Sequence, residues 1–177
     1  ERKNSAQQSL FGEDSVIDAP DPQMPDCNPY SKIEQLRKER EVTGFYISGH
    51  PLDDFKLEID NFCDTNLTDL FEDQQKNLGK TVRVAGMVTG ATERMTKGGK
   101  PYGSFQLEDF NDNKKFFLFS EDYLRMKHFL TDGFNVMVDL RVQFRRGQQE
   151  QLEVKVVNIG LLAEALEKYT KSVSIEL

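Results

Sequence analysis

The sequence predicts an α+β fold: a small five-stranded β-barrel, preceded by a short helical segment and, ahead of that, an extended linker. Three observations carry this. Five runs between Lys80 and Ile159 alternate apolar with polar residues, the period of strands with one face buried. A stretch at helical spacing, Glu121 to Leu130, separates the third run from the fourth. From Gly12 to Pro29, Pro20, Pro22, Pro25 and Pro29 stand among aspartates, a composition that buries too little apolar surface to offset its chain entropy.

Residues 1–30 are therefore expected to be linker, and residues 31–78 a helical segment. Ser31 can cap a helix with Glu34 as its capping-box partner, and Ile33, Leu36, Arg40 and Thr43 through Phe45 continue at helical spacing, predicting a helix from about Lys32 to Ile47. Ser48-Gly49-His50-Pro51 is expected to stop it. A helix over about Leu52 to Cys63 follows, and Leu67, Leu70 and Phe71 suggest a last helical turn before Gly79.

The barrel occupies residues 79–160. In its first strand Val82, Val84 and Val88 point one way and Arg83, Ala85 and Met87 the other, with Gly86 permitting the bend that closes a small barrel. In the second, Phe105 and Leu107 point inward and Tyr102, Ser104 and Gln106 outward; Phe110 to Asn113 supply the turn. Lys114 to Phe119, Asn135 to Phe144 and Gln151 to Ile159 complete the set, the last two joined by a hairpin at Arg145-Arg146-Gly147-Gln148. Three strands, a helix, then two strands is the order of the OB-fold β-barrel, whose helix plugs one end. Residues 161–177 add a helix from about Leu161 to Tyr169 and an apolar tail, Val173 to Leu177.

With 177 residues, 37% of them hydrophobic, the chain can bury one moderate core but is too short for a polymerase or another large catalytic machine. It begins with Glu1, carries no apolar run near the ~18 residues of a membrane span and no signal-peptide core, and so reads as an excised piece of a soluble intracellular protein. Cys27 and Cys63 match no zinc or redox spacing and are expected to be ordinary thiols. The net charge of −7 argues against nucleic acid until it is divided: residues 1–79 hold 8 Lys+Arg against 17 Asp+Glu, residues 80–160 hold 13 against 10, and residues 161–177 hold 2 against 3. The barrel alone is cationic, by +3, which predicts weak and salt-sensitive binding.

No nucleophile motif or phosphate-cradling loop is present; His50 and His128 stand alone, and Asp53-Asp54 and Glu72-Asp73 read as solvated surface, so no catalysis, metal or cofactor is expected in this segment. Binding is better supported. Arg94, Lys97 and Lys100 surround a hairpin tip that could track phosphates, with Tyr102 and Ser104 on the adjoining strand. On the third strand Lys115, Phe117 and Phe119 share one parity and Phe116 and Leu118 the other, so at least one phenyl lies outside the core. If Phe117 is outward beside Tyr102 it offers a stacking platform worth roughly 1–3 kcal/mol per base; the alternative is that it packs beneath the N-terminal helices. Arg83, Arg141, Arg145, Arg146 and Lys155 could extend a basic groove that Glu150 and Glu153 partly neutralise. Gln7-Gln8-Ser9-Leu10-Phe11 is a short peptide of the kind that buries Leu and Phe in a partner's pocket while Gln7 makes orienting hydrogen bonds.

The run Arg40-Glu41-Val42-Thr43-Gly44-Phe45-Tyr46-Ile47-Ser48-Gly49-His50-Pro51-Leu52 resembles the segment just before the OB domain in the alpha subunit of bacterial DNA polymerase III. Val84 to Val88, Met95 to Lys100, Leu107-Glu108-Asp109 and Leu118-Phe119 resemble that family's OB strands, in order. The resemblance implies that Gln7, Leu10 and Phe11 engage the sliding clamp, that the barrel meets single-stranded template DNA, and that other replisome subunits are partners, in the cytoplasm and away from membranes. It also implies that the magnesium-binding aspartates of the DNA-directed DNA polymerase, a nucleotidyltransferase, lie in a palm domain upstream of Glu1, so that this piece would tether and guide. His50 is assigned a structural role, a helix-stop hydrogen bond. The same strand grammar fits a tRNA-anticodon-binding barrel of class II aminoacyl-tRNA synthetases, which gives no reason for Gln7 to Phe11, or a protein-interaction barrel with incidental lysines.

Overall fold

The computed structural model describes residues 27–145 and 147–172. The peptide Gln7 to Phe11, Arg146 and the tail from Val173 lie outside the described residues. The chain divides at Tyr30/Ser31, and the architecture below is that of the part beginning with Ser31.

Helix α1, Lys32–Thr43, opens on a complete capping box: the Ser31 hydroxyl accepts from the Glu34 amide while the Glu34 carboxylate accepts from the Ser31 amide. It ends short of the expected Ile47, because Gly44 takes φ +86° and donates its N–H to the Arg40 carbonyl, a left-handed cap that closes the helix. The loop beyond is pinned instead. Glu39 accepts from the amides of Ile47 (3.2 Å) and Ser48 (2.9 Å) and from the Ser48 hydroxyl, and these bonds, the hydroxyl's foremost, pull its carboxyl down to about 2. Where one helix from Leu52 was expected, a 3₁₀ turn, Asp53–Phe55, leads into α2, Lys56–Phe62. Helix α3, Leu67–Glu72, is capped by Asn66.

Five antiparallel strands follow: β1 Thr81–Met95, β2 Pro101–Glu108, β3 Asn113–Phe119, β4 Asn135–Arg145 and β5 Gln148–Leu161, in the spatial order β3-β2-β1-β4-β5. The first half of β1 pairs with β4, from Thr81↔Arg141 to Met87↔Asn135. Its second half pairs with β2, from Met87↔Glu108 to Met95↔Pro101, with a register shift between Thr89 and Thr92. Gly86 sits just before the change of partner, where a Cβ would lie 2.6 Å from Leu107 Cγ, so no side chain fits. The ladder stays open, since among the described residues β3 and β5 share no hydrogen-bonded register. Helix α4, Ser120–Met126, leaves β3 directly and reaches β5 through Arg125, which donates to the Val157 carbonyl (2.9 Å), and through the Asp122–Lys155 ion pair (3.3 Å).

The main core gathers Val82, Val84, Val88, Phe105, Leu107, Phe116 and Leu118 with the inward residues of β4 and β5, and is closed by Leu67 and Leu70 of α3 and by Tyr123 and Met126 of α4. A second cluster joins Ala85 and Met137, on the opposite face of the sheet, to Leu52, Leu162 and Ala165, with Phe55, Ile59 and Phe62 around it. The expectation of a half-buried first strand is thereby corrected: α2 and the C-terminal helix α5, Ala165–Tyr169, cover the outer face of its first half. The buried Asp109 carboxylate ties the barrel to α3, accepting from the amides of Leu67 (2.7 Å), Asn111 (2.8 Å) and Asp112 (2.8 Å). Asn111 and Asp112 belong to the expected turn between β2 and β3.

Candidate nucleic-acid interface

Residues directly opposite in an antiparallel pair share a face, so the registers of β1, β2 and β3 fix the outer surface row by row. Arg94, Tyr102 and Phe119 form one row, Thr92, Ser104 and Phe117 the next, and Thr89, Gln106 and Lys115 the third. Phe105 and Phe116 make an inward row with stacked rings 5.7 Å apart, and Leu118 is buried opposite Gly103. The two parities of β3 are thus resolved, and Phe117 is not beneath the N-terminal helices but 49% exposed.

Phe119, which the sequence reading left out of its candidate set, is 55% exposed and shares the face. Its ring lies near-parallel to those of Tyr102 (5.6 Å, 22°) and Phe117 (6.3 Å, 14°), and the Lys115 ammonium stands 5.5 Å from the Phe117 centroid. The signal that would have found Phe119 was its parity with Phe117. Lys97 and Lys100 are exposed on the β1–β2 turn, which closes through Thr96 N–H to the Lys100 carbonyl (2.9 Å), Lys100 N–H to the Thr96 hydroxyl (3.0 Å) and Gly99 at φ +74°. Among the described residues Arg94, Lys97, Lys100 and Lys115 enter no ion pair, so three aromatic rings lie between cations with no carboxylate claiming them.

Other predicted residues are placed differently. Ser104 is buried under this face, its hydroxyl 2.9 Å from that of Thr92, and supports the row rather than presenting a free group. Arg83 is on the other half of the sheet. Its Nε donates to Asp139 (2.7 Å) and its guanidinium lies 4.3 Å from the Tyr169 ring centroid, which corrects its expected place in a phosphate track. Arg141 and Arg145 are exposed on β4, where Arg141 opposes Lys155 and Gln143 is bonded to Glu153 (2.8 Å); no strand pairing brings them to the aromatic rows. The candidate set therefore splits between the two halves of β1.

At the foot of the aromatic face, the row Met87, Glu108 and Asn113 meets the Gly44–His50 loop. Arg40 of α1 donates to Glu108 (2.6 Å) and to the Tyr46 hydroxyl (2.9 Å), beside an open groove of about 260 Å³ lined also by His50, Phe110 and Asn113. His50 has the structural part expected of it, though not as the stop of α1: its Nδ1 accepts from the Leu52 amide (3.2 Å) and its ring lies against Tyr46 (5.3 Å) and Phe110 (4.7 Å). Burial pulls its pKa below the usual 6.5. Among the described residues no group of three or more His, Cys, Asp or Glu could hold a metal ion, and no helix is long and apolar enough to cross a membrane.

Over 169 residues, 92% of its length, the chain is 35% identical to the DNA polymerase III subunit alpha of Borreliella burgdorferi. It is 29% identical over 167 residues to that of Deinococcus radiodurans and 28% over 154 residues to that of Escherichia coli K12. The chain belongs to the family of DNA polymerase III alpha subunits. It spans 14%, 12% and 13% of the lengths of these three relatives. No family model matches it. Among solved structures it is similar to the second OB-fold domain of replication protein A from Methanococcus maripaludis (20% identity, 55% of this chain and 92% of that one, TM-score 0.33). It is similar also to RecG bound to a three-way DNA junction (18%, 78% and 19%, TM-score 0.37). The OB architecture of this alpha-subunit segment rests on its own strand order and on the place of α4 between β3 and β4.

The His50 imidazole, followed by NMR, should titrate below 6.5. Since the unfolded chain then binds more protons than the folded one, this residue's contribution to stability is full above pH 6.5 and declines as pH falls from there toward the folded-state value. A midpoint at or above 6.5 would contradict the buried, amide-accepting ring.

Proposed function

We propose that this segment is the single-stranded-DNA-binding module of a replicative DNA polymerase alpha subunit, which guides template while the polymerising chemistry, with its magnesium, belongs to another part of a longer polypeptide. The observation that carries the reading is the outer face of β1, β2 and β3: Tyr102, Phe117 and Phe119 in near-parallel array, flanked by Arg94, Lys97, Lys100 and Lys115, which enter no ion pair among the described residues. Bases stack on rings irrespective of sequence, and the hairpin lysines meet phosphates. Four cations against a segment of net charge −7 favour weak binding that salt suppresses. The work is cytoplasmic, and other replisome subunits are the setting. The family membership supports a replication role, and the face supports an unpaired strand as the ligand.

Fluorescence anisotropy with labelled oligo-dT at two ionic strengths tests this. Affinity should fall as salt rises, and Phe117→Ala or Phe119→Ala should each weaken it by roughly 1–3 kcal/mol with little change in melting temperature, since both rings are about half exposed. Salt-independent binding, or full affinity without either ring, would defeat the reading.

The peptide Gln7 to Phe11 is proposed as a tether to the sliding clamp, with Leu10 and Phe11 entering an apolar pocket and Gln7 orienting them. Such a tether raises the local concentration of template at a weak site. Leu10→Ala with Phe11→Ala should abolish capture of this chain by the cognate clamp and leave oligo-dT affinity as it was. Undiminished capture would remove the tether.

A further inference from the structure

Arg40 holds the only guanidinium at the foot of the aromatic face among the residues lining its groove, and an internal carboxylate occupies it. We propose that Arg40 is a further phosphate-binding residue of the module and that Glu108 is the anion which a backbone phosphate of the single strand displaces from it, an exchange that keeps binding weak. This rests on the single-strand reading above.

The register places the pair on the path. Glu108 follows Gln106 on the same outward side of β2, and Gln106 stands opposite Lys115, so continuing down the face from Phe119 and Phe117 past Lys115 leads to Glu108. The guanidinium is clamped from two sides, by Glu108 at 2.6 Å and by the Tyr46 hydroxyl at 2.9 Å, and Tyr46 in turn reaches Met87 Sδ at 3.9 Å on the same bottom row. Arginine carries five N–H donors, and these bonds use two of them, on a residue that lines the groove. The ion pair is not sealed: the Arg40 side chain keeps 34% of its exposure and Glu108 16%. The remaining acids of the groove are engaged elsewhere, Asp109 by three backbone amides and Asp112 by Lys114 at 2.6 Å. Glu108 is therefore the carboxylate whose neutralisation changes what Arg40 can hold. A backbone phosphate offers a planar guanidinium two anionic acceptor oxygens, as the carboxylate it would replace does.

The test is Glu108→Gln in the 177-residue chain, titrated against labelled oligo-dT over a range of salt. Glutamine keeps the shape and an acceptor for Arg40 while removing the competing charge. Affinity should rise several-fold, and the slope of log K against log salt should steepen by about 0.7, the value for one more phosphate neutralised on a single strand. Arg40→Gln should weaken binding and flatten the slope, and adding it to Glu108→Gln should cancel the gain. Circular dichroism melts verify folding; should Glu108→Gln melt, Arg40→Gln alone decides through its slope. Unchanged affinity and slope in both variants, beside a wild-type chain that binds salt-sensitively, would overturn the exchange and leave the single-strand reading intact. A wild-type chain that does not bind would overturn both.

Discussion

A strand of fifteen residues that pairs with β4 along its first half and β2 along its second must bend where the partners change, and the remaining architecture depends on that bend in β1. Gly86 permits it by letting Leu107 approach to a distance at which any Cβ would collide. The outer surface of the sheet is thereby divided. On the β4 side Ala85 and Met137 are covered by Leu52, Leu162 and Ala165, and burial of apolar area at about 25 cal/mol per Å² holds the helices there. On the β2 side no helix among the described residues covers the rows of Tyr102, Phe117 and Phe119. Why rings stand half-exposed on one half of a sheet whose other half is sealed is answered by the division: the covered half supplies stability, and the open half is left with aromatic area and cations.

The electrostatics follow the same division. On the covered side Arg83 is spent internally, between Asp139 and Tyr169, while Arg141 and Arg145 stay exposed on β4. Those of the open rows have no partner among the described residues, and a chain with 30 acidic against 23 basic residues still presents a local cationic surface. The face is bounded below by acid. Glu108, Asp109 and Asp112 cluster at the β2–β3 turn, and each is held, by Arg40, by backbone amides or by Lys114. A polyanion approaching from the hairpin tip therefore meets falling positive potential along the strands, in keeping with the modest affinity expected of a local +3.

Much of this was legible in residue patterns. Alternation gave the strands and their order, and Ser31 with Glu34 gave the start of α1. Helical spacing runs past Gly44 toward Ile47, but a left-handed cap at Gly44 and the Glu39 bonds to Ile47 and Ser48, local features that periodicity does not register, end α1 at Thr43. The open face was only half legible. Parity grouped Phe117 with Phe119, yet which parity faces out is settled by pairing with Phe105 and Leu107 across β2. The partner of Arg83 and the cover over Ala85 come from residues far along the chain, and periodicity carries no record of such contacts. The burial of Ser104 likewise comes from neighbouring strands, from Thr92 of β1 and Phe117 of β3.

Backbone amide and aromatic NMR shifts of the 177-residue chain, recorded while oligo-dT is added, test the central claim most directly. The account predicts shift changes concentrated at Arg94 to Tyr102 and at Lys115 to Phe119, with the region of Arg83, Ala85 and Met137 unmoved. Changes centred on that helix-covered half, or none at concentrations where anisotropy reports binding, would contradict it.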